Sequence, residues 1–514
     1  MFVDFPSFID IKETKEKKKT LYVLGASIDG PVLEPMRIKN IEQAKKVFGE
    51  GELIDACRQI VSFEDIELYL MRISGENATV RLIADVDGET HSVMQLRSIY
   101  GGEKYNNIEV YIEEEDVNGE KEYTLVIVTL DQFSPYQRYN LKDYKTLREL
   151  VYQINQDVQN KNSIVYAHTN FQDLSTSVLI EKNQTPKQLR GGENGYPLTK
   201  NERYRALGKA YELLEGREID LICPYDAYFD DNIQPDFYNQ SNYNEANYGA
   251  NGDYLSIYNE EKQRYESFYE QAISFCQAQS QFGIFTHVVM GLKERQRSYG
   301  GYRYIPTLLN HPALQREGVS DYVYGELIDY GYYISVFAHD FVIDEKQKNG
   351  AVWYASVLAS IVDKSSTNYP VSNMEPAFEL ENEEINDLAN FGFVSLRRSP
   401  KYGWVVASGV TYGLFDSPMH YYMNIAMVQT TSRFLNQVLS RFVGEDFVND
   451  MIFIEIDRDM SQALTYLFEN KIIKEGYEYN VEYDTEKEAV VINLSLNPHY
   501  SIEKIKMKAY VNIL

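Results

Sequence analysis

The chain has 514 residues, 44% of them hydrophobic, and a formal net charge of -27. So acidic a surface repels nucleic-acid phosphates, and no apolar run approaches the ~20 residues needed to span a bilayer, so neither direct nucleic-acid binding nor membrane insertion is expected. Cys57, Cys223 and Cys276 are odd in number and in no Cys-x-x-Cys pair, which fits buried thiols in a reducing compartment better than disulfides or a zinc site.

In chain order, the N-terminal stretch carries Val3, Phe5, Ile9 and Ile11 on one parity, the pattern of a strand with one buried face. Asp4 and Pro6 stand where a secretion signal would be basic and then apolar. A charged run, Lys12 to Lys19, separates this stretch from a core strand at Leu21 to Leu24. A turn at Asp29-Gly30-Pro31, helices over Ile41–Phe48 and Leu53–Ser62, and a strand over Ile66–Ile73 follow. From Ala78 to Thr169 the pattern changes to short strands, among them Thr79–Asp85, Asn107–Glu113 and Tyr123–Thr129. Gly88, Gly101-Gly102 and Asn118-Gly119 punctuate them, the last being a hairpin signal. A helix is expected over Thr146–Gln159.

Beyond Leu189, helices over Glu202–Leu214 and Asn259–Gln281 alternate with strands over Ile219–Cys223 and Ile284–Met290. That alternation predicts a mainly parallel sheet. Asp226 to Tyr258, rich in Asn, Tyr and Gly, reads as an exposed excursion. The final third predicts a strand over Gly403–Val410, helices over Tyr422–Val443 and Ser461–Glu469, and two closing strands. The second of these places Ile505, Met507, Ala509, Val511 and Ile513 on one face. Both ends therefore look like strands offered to a sheet, either within the chain or on a neighbouring copy. The 43 tyrosines give contact area with a polar tip, which suits interfaces and ordinary surfaces alike.

Catalytic patterns are missing. The seven histidines form no metal-ligand spacing, and no nucleophile elbow, Walker loop or dinucleotide fingerprint occurs. No metal and no cofactor is expected. His339-Asp340 is the most suggestive pair, but neighbours in a strand point apart, so a structural role is favoured. The acidic runs Glu113–Asp116 and Glu381–Glu384 lack the alternating ligands and turn glycine of a calcium loop.

Several blocks resemble one family, the contractile tail sheath proteins of myophages and R-type bacteriocins. They are Gly25 to Pro31 with Pro35, Phe48-Gly49 and Leu53; Tyr100-Gly-Gly-Glu-Lys-Tyr-Asn106 through Tyr111; Leu189-Arg-Gly-Gly-Glu-Asn-Gly195; Asn349-Gly350 through Ala355, Ala359, Asn368 and Pro370; Leu388 to Gly392; and Val410 to Gly413. Met423 to Val443, with Arg433, completes the series, so the resemblance spans nearly the whole chain. The main departure is Asp226 to Tyr258, which maps onto no family block.

The resemblance implies an α/β multidomain fold: an α+β sheath core built from both chain ends, a subtilisin-like α/β middle domain and an inserted β-rich, sandwich-like domain. The boundaries it implies are an arm at 1-20, core at 21-77, inserted domain at 78-170, middle domain at 189-391 containing the 226-258 excursion, core again at 392-504, and a strand arm at 505-514. The chain lacks the His-Gly and Gly-Thr-Ser signatures of subtilases, so architecture is implied and proteolysis is not. The implied function is structural: a subunit that polymerises helically around an inner tube and contracts to drive that tube through an envelope, in a tail assembled in a bacterial cytoplasm.

Implied partners are other copies exchanging terminal strands, the inner tube protein, and baseplate and tail terminator proteins. Arg433, Gln437 and Arg441 recur at four-residue spacing opposite Met427, Phe434, Leu435, Val438, Leu439 and Phe442, which makes them the candidate tube-facing stripe. A hydrolase with a subtilase-like core and a surface-array protein are the alternatives.

Overall fold

The computed structural model describes residues 18–129, 137–160, 162–231, 267–293, 313–316, 318–323, 326–361, 364–442, 451–484 and 489–497. The terminal stretches carrying Val3 to Ile11 and Ile505 to Ile513, and residues 232–258 of the Asn/Tyr-rich excursion, lie outside them. The chain forms two compact units, one of Met1–Val23, Arg58–Tyr69 and Lys200–Leu514, the other of Leu24–Cys57 and Leu70–Thr199. The stretch 78-170 belongs wholly to the second.

In the larger unit, the strands Leu221–Pro224, His287–Gly291 and Ile334–Phe337 are buried at every position. A strand with no solvated face needs cover on both sides, which is the condition of a parallel sheet. Leu221 pairs with His287, Val288 with Ile334 and Val336 with Phe393, all in parallel. Six of the seven strands of the sheet run in the order Phe393–Val394, Ile334–Phe337, His287–Gly291, Leu221–Pro224, Thr20–Gly25, Glu67–Arg72. The helix Ala351–Ser360 packs on it and is buried from Ala351 to Ala359. Such a helix has no polar face and therefore no amphipathic signature in sequence. It can start where it does because Gly350 lacks a side chain; a Cβ there would sit 2.4 Å from the His339 carbonyl oxygen.

A second core in this unit joins the helices Tyr422–Leu439 and Met451–Glu469 to a hairpin. The hairpin pairs Glu478–Asp484 with Ala489–Ser495, placing Tyr479 opposite Leu494 and Val481 opposite Ile492. Val481, Ile492 and Leu494 pack against the cluster containing Phe434, Leu435, Met460, Leu464 and Leu467.

The smaller unit contains two antiparallel sheets. One orders Asn77–Val86, Glu89–Gly101 and Val165–His168; the other orders Lys187–Gln188, Ile108–Val117, Glu120–Thr129 and Gln137–Asn140. Both bury their inward residues with the helix Leu147–Gln159 in one core, from Leu82 and Leu96 to Val110, Ile127, Leu150 and Ile154. Thr146 caps that helix, its hydroxyl oxygen accepting the Glu149 amide at 3.4 Å. Asn118-Gly119 makes the predicted two-residue turn, with φ of 56° and 88° at the two residues and Val117 paired to Glu120.

Three of the blocks that carry the family resemblance converge here on Arg72. Its side chain is fully buried and donates to the carbonyls of Gly30 at 3.0 Å, Gly101 at 2.6 Å and Asn194 at 2.6 Å. Burial lowers its pKa to about 10, with Asp29 opposing the shift. Asp29 in turn accepts from the Tyr105 hydroxyl at 2.9 Å and pairs with Lys104. Around this centre the chain entering and leaving the β-rich part is stitched by reciprocal backbone bonds, Glu76 with Glu193 at 2.9 and 3.1 Å and Thr79 with Arg190 at 2.8 and 2.9 Å.

Several expectations are corrected. The helix expected over Leu53–Ser62 is Glu52–Cys57, and the helix expected at Ser461 begins at Met451. The expected strands Ile284–Met290 and Gly403–Val410 are His287–Gly291 and Gly403–Val406. The strand near Ala489 pairs with Glu478–Asp484, a partner not expected. These shifts arise where tertiary pairing, invisible to local pattern, ends or extends an element.

Arg72→Met should lower stability by about 3 kcal/mol in a denaturant titration, because three buried carbonyls lose a charged donor together. Gly75→Ala should act in the same direction, since Gly75 has φ +130° and a Cβ there would lie 2.3 Å from the Arg72 guanidinium.

Candidate functional site

The described chain begins at a point of dense contact, the root of the N-terminal stretch. Lys19 is buried, its Nζ donating to the Leu358 carbonyl at 3.2 Å and lying 5.5 Å from the centre of the Tyr422 ring. Leu358 is in the last turn of its helix, where unpaired carbonyls make a negative pole that offsets the cost of burying an ammonium. Thr20 follows. Its amide donates to Asp220 Oδ2 at 2.7 Å and its hydroxyl to the same oxygen at 3.0 Å, while the Asp220 amide donates back to the hydroxyl at 2.9 Å.

Asp220 is buried and its second oxygen, Oδ1, pairs with the Arg433 guanidinium. Its carbonyl accepts Gln429 Nε2 at 2.6 Å and the His287 amide at 3.0 Å. One carboxylate thus holds the first strand, the central sheet and the helix Tyr422–Leu439. Burial lowers the Arg433 pKa while Glu218 opposes the shift; a guanidinium stays charged regardless.

This geometry locates the stripe predicted from sequence. Arg433 faces inward, 17% exposed, as the partner of Asp220. Gln437 is exposed on the same helix. The helix ends at Leu439, so Arg441 falls in the following turn, Ser440–Phe442, where it pairs with Asp459 and lies 4.6 Å from the Phe442 ring centre. The three residues therefore do not form one continuous helical face. The sequence period could not reveal this, because the partner of Arg433 lies more than 200 residues earlier.

A Ser-His pair is also present. Ser335 Oγ lies 2.9 Å from His287 Nε2 and donates to the Val410 carbonyl at 3.0 Å. The pair is sealed in the core, with no exposed face on either side chain for a substrate to meet. Both side chains are fully buried, and burial lowers the His287 pKa to about 3. His339 is likewise buried, stacked on Phe378 at 4.7 Å, with a pKa lowered by burial to about 3. Burial raises the thiol of Cys57 to about 12 and raises those of Cys223 and Cys276 as well. Among the described residues no cluster of three or more His, Cys, Asp or Glu could hold a metal, and no helix is long and apolar enough to cross a membrane.

No protein-family model and no curated protein matches the chain. Solved structures do. The chain is similar to the sheath tail protein of Listeria innocua, with a TM-score of 0.56 at 14% identity over 94% of this chain and 92% of that one. It is also similar to the sheath tail protein of Desulfitobacterium hafniense, with a TM-score of 0.50 at 11% identity over 97% and 100%. The chain has the mixed α/β fold of these sheath tail proteins over 94 to 97% of its length.

Asp220→Ala should cost about 3 to 5 kcal/mol in chemical denaturation, because it strands the buried Arg433 charge. Acid should destabilise the protein through His287 and His339. Both pKa values are lowered to about 3 in the fold from 6.5. The unfolded chain therefore binds more protons between those values, and the stability present above pH 6.5 is lost as pH falls through this window, by about 2 kcal/mol per histidine at pH 5. Phe at both positions should flatten the dependence of denaturation midpoint on pH between 5 and 7.

Proposed function

We propose that this chain is the structural subunit of a contractile tail sheath, polymerising helically around an inner tube and contracting to drive it through a cell envelope. The observation that carries the reading is the fold shared with two sheath tail proteins over more than nine-tenths of each chain compared. The hydrolase alternative finds little footing in the Ser335-His287 pair, because both side chains are fully buried and offer no face to a substrate. The surface-array alternative has no observation in its favour.

In this reading the terminal stretches around Val3 to Ile11 and Ile505 to Ile513 add as strands to neighbouring copies, backbone pairing giving affinity and alternate side chains giving register. An interface that is heterologous and does not close into a ring generates a helix, the symmetry a sheath needs. Contraction that buries a few hundred extra Å² of apolar surface per copy would release several kcal/mol at ~25 cal/mol per Å², with no nucleotide required. Arg433, Gln437 and Arg441 are the candidate tube-facing residues, of which Gln437 and Arg441 are exposed on the single chain. Baseplate and terminator proteins are the remaining partners, and the assembled tail of a phage, bacteriocin or related particle is the location.

Negative-stain microscopy of the expressed protein tests the reading: striated tubes or rings support it, and monodisperse monomers would refute it. Deleting Lys508–Leu514 should leave a monomer with wild-type circular dichroism that no longer sediments as ordered polymer. Normal polymers from the truncated chain would remove the C-terminal strand from the mechanism.

A further inference from the structure

The helix Tyr422–Leu439 touches two bodies of structure with different faces. Gln429 and Arg433 bind Asp220, and Ser432 and Asn436 donate to the Gly283 carbonyl at 2.5 and 2.8 Å. Met427, Phe434 and Leu435 point into the core that holds the hairpin Glu478–Asp484 and Ala489–Ser495. Thr20, immediately after the N-terminal stretch, shares the carboxylate that Arg433 binds. A chain of contacts therefore runs Thr20, Asp220, Arg433, helix, hairpin, joining the roots of the two ends of the polypeptide.

We infer that the Thr20–Asp220–Arg433 relay is a coupling joint that makes the N-terminal root and the C-terminal hairpin open and close together. Its mechanical meaning rests on the sheath reading: an arm pulled by one neighbour would pass its displacement to the arm held by another, where two independent anchors would each yield alone. The reason is electrostatic. Asp220 is buried with one oxygen committed to Thr20 and the other to Arg433, so withdrawal of either partner leaves a buried carboxylate or guanidinium under-satisfied and weakens the remaining contact. Packing alone would not couple them in this way, since a lost apolar contact imposes no penalty on a distant one.

Amide hydrogen exchange on the folded, full-length monomer tests the joint. Thr20→Val removes the hydroxyl from Asp220; exchange should quicken about tenfold in the helix Tyr422–Leu439 and in the hairpin, as well as locally. Arg433→Met should quicken exchange in Thr20–Gly25, and the double variant should be no worse than the more affected single one. Thr20→Ser keeps the hydroxyl and should restore wild-type protection. Ser432→Ala, on the same helix but bonded to Gly283, should loosen the helix and leave Thr20–Gly25 unchanged. Unaltered hairpin protection in Thr20→Val, or additive effects in the double variant, would overturn the joint. If circular dichroism shows Arg433→Met unfolded, Arg433→Lys gives the same readout in milder form. Because exchange is read on the monomer, failure of the wild type to polymerise would refute the sheath reading while leaving this result to be judged separately.

Discussion

A buried carboxylate is tolerated only when each oxygen has a donor, and that requirement at Asp220 organises the larger unit. Thr20 and Arg433 meet the two oxygens, while Gln429 and His287 meet the carbonyl of the same residue. The first strand, the sheet centre and the long C-terminal helix are positioned by one set of hydrogen bonds that no apolar substitution could specify so narrowly. Lys19 extends the arrangement to the pole of the buried helix Ala351–Ser360. The smaller unit solves a similar problem with the opposite charge, Arg72 gathering carbonyls from three turns. Each unit thus has an ionic centre that fixes where distant segments meet, and an apolar core that supplies the bulk of the burial.

This arrangement explains what the sequence could reveal. Elements governed by local chemistry were legible: the Asn118-Gly119 turn, the strands around it, the helix capped by Thr146 and the alternation that predicts a parallel sheet. Gly30 and Gly101 were legible as turn glycines and Leu189 to Gly195 as a family block, but nothing local says that they share Arg72. Ala351–Ser360 has no polar face, so its period is hidden. The arginine stripe was the instructive case. Four-residue spacing predicts a common face, and a common face on an acidic chain invites a partner outside; the partner of Arg433 is inside, just ahead of a strand far away in sequence. The terminal strands, the most suggestive pattern in the chain, lie outside the described residues.

The near-full-length likeness to sheath tail proteins at 11 to 14% identity shows how little of a sequence such a fold needs to keep. Volume, burial pattern and turn chemistry can be conserved while nearly every side chain changes. Polar contacts are more exacting, because each depends on the identity of both partners. The Asp220 and Arg72 centres are therefore the places where this chain's own physics is most exposed to a single substitution.

The stitched connectivity has a consequence for synthesis. The chain passes between its two units after Val23, Cys57, Tyr69 and Thr199. A ribosome that has released Thr199 has delivered every residue of the smaller unit, while the larger one still lacks most of its sheet. The strand Thr20–Gly25 must wait for Asp220, and Lys19 for a helix 339 residues downstream. Such long-range closure is slow, and the smaller unit can fold as an independent nucleus meanwhile. Lys19 and Thr20 consequently gain their full seat only after Leu358 has been made. On the proposed sheath reading, the order of the sequence itself would hold back assembly until that seat is complete.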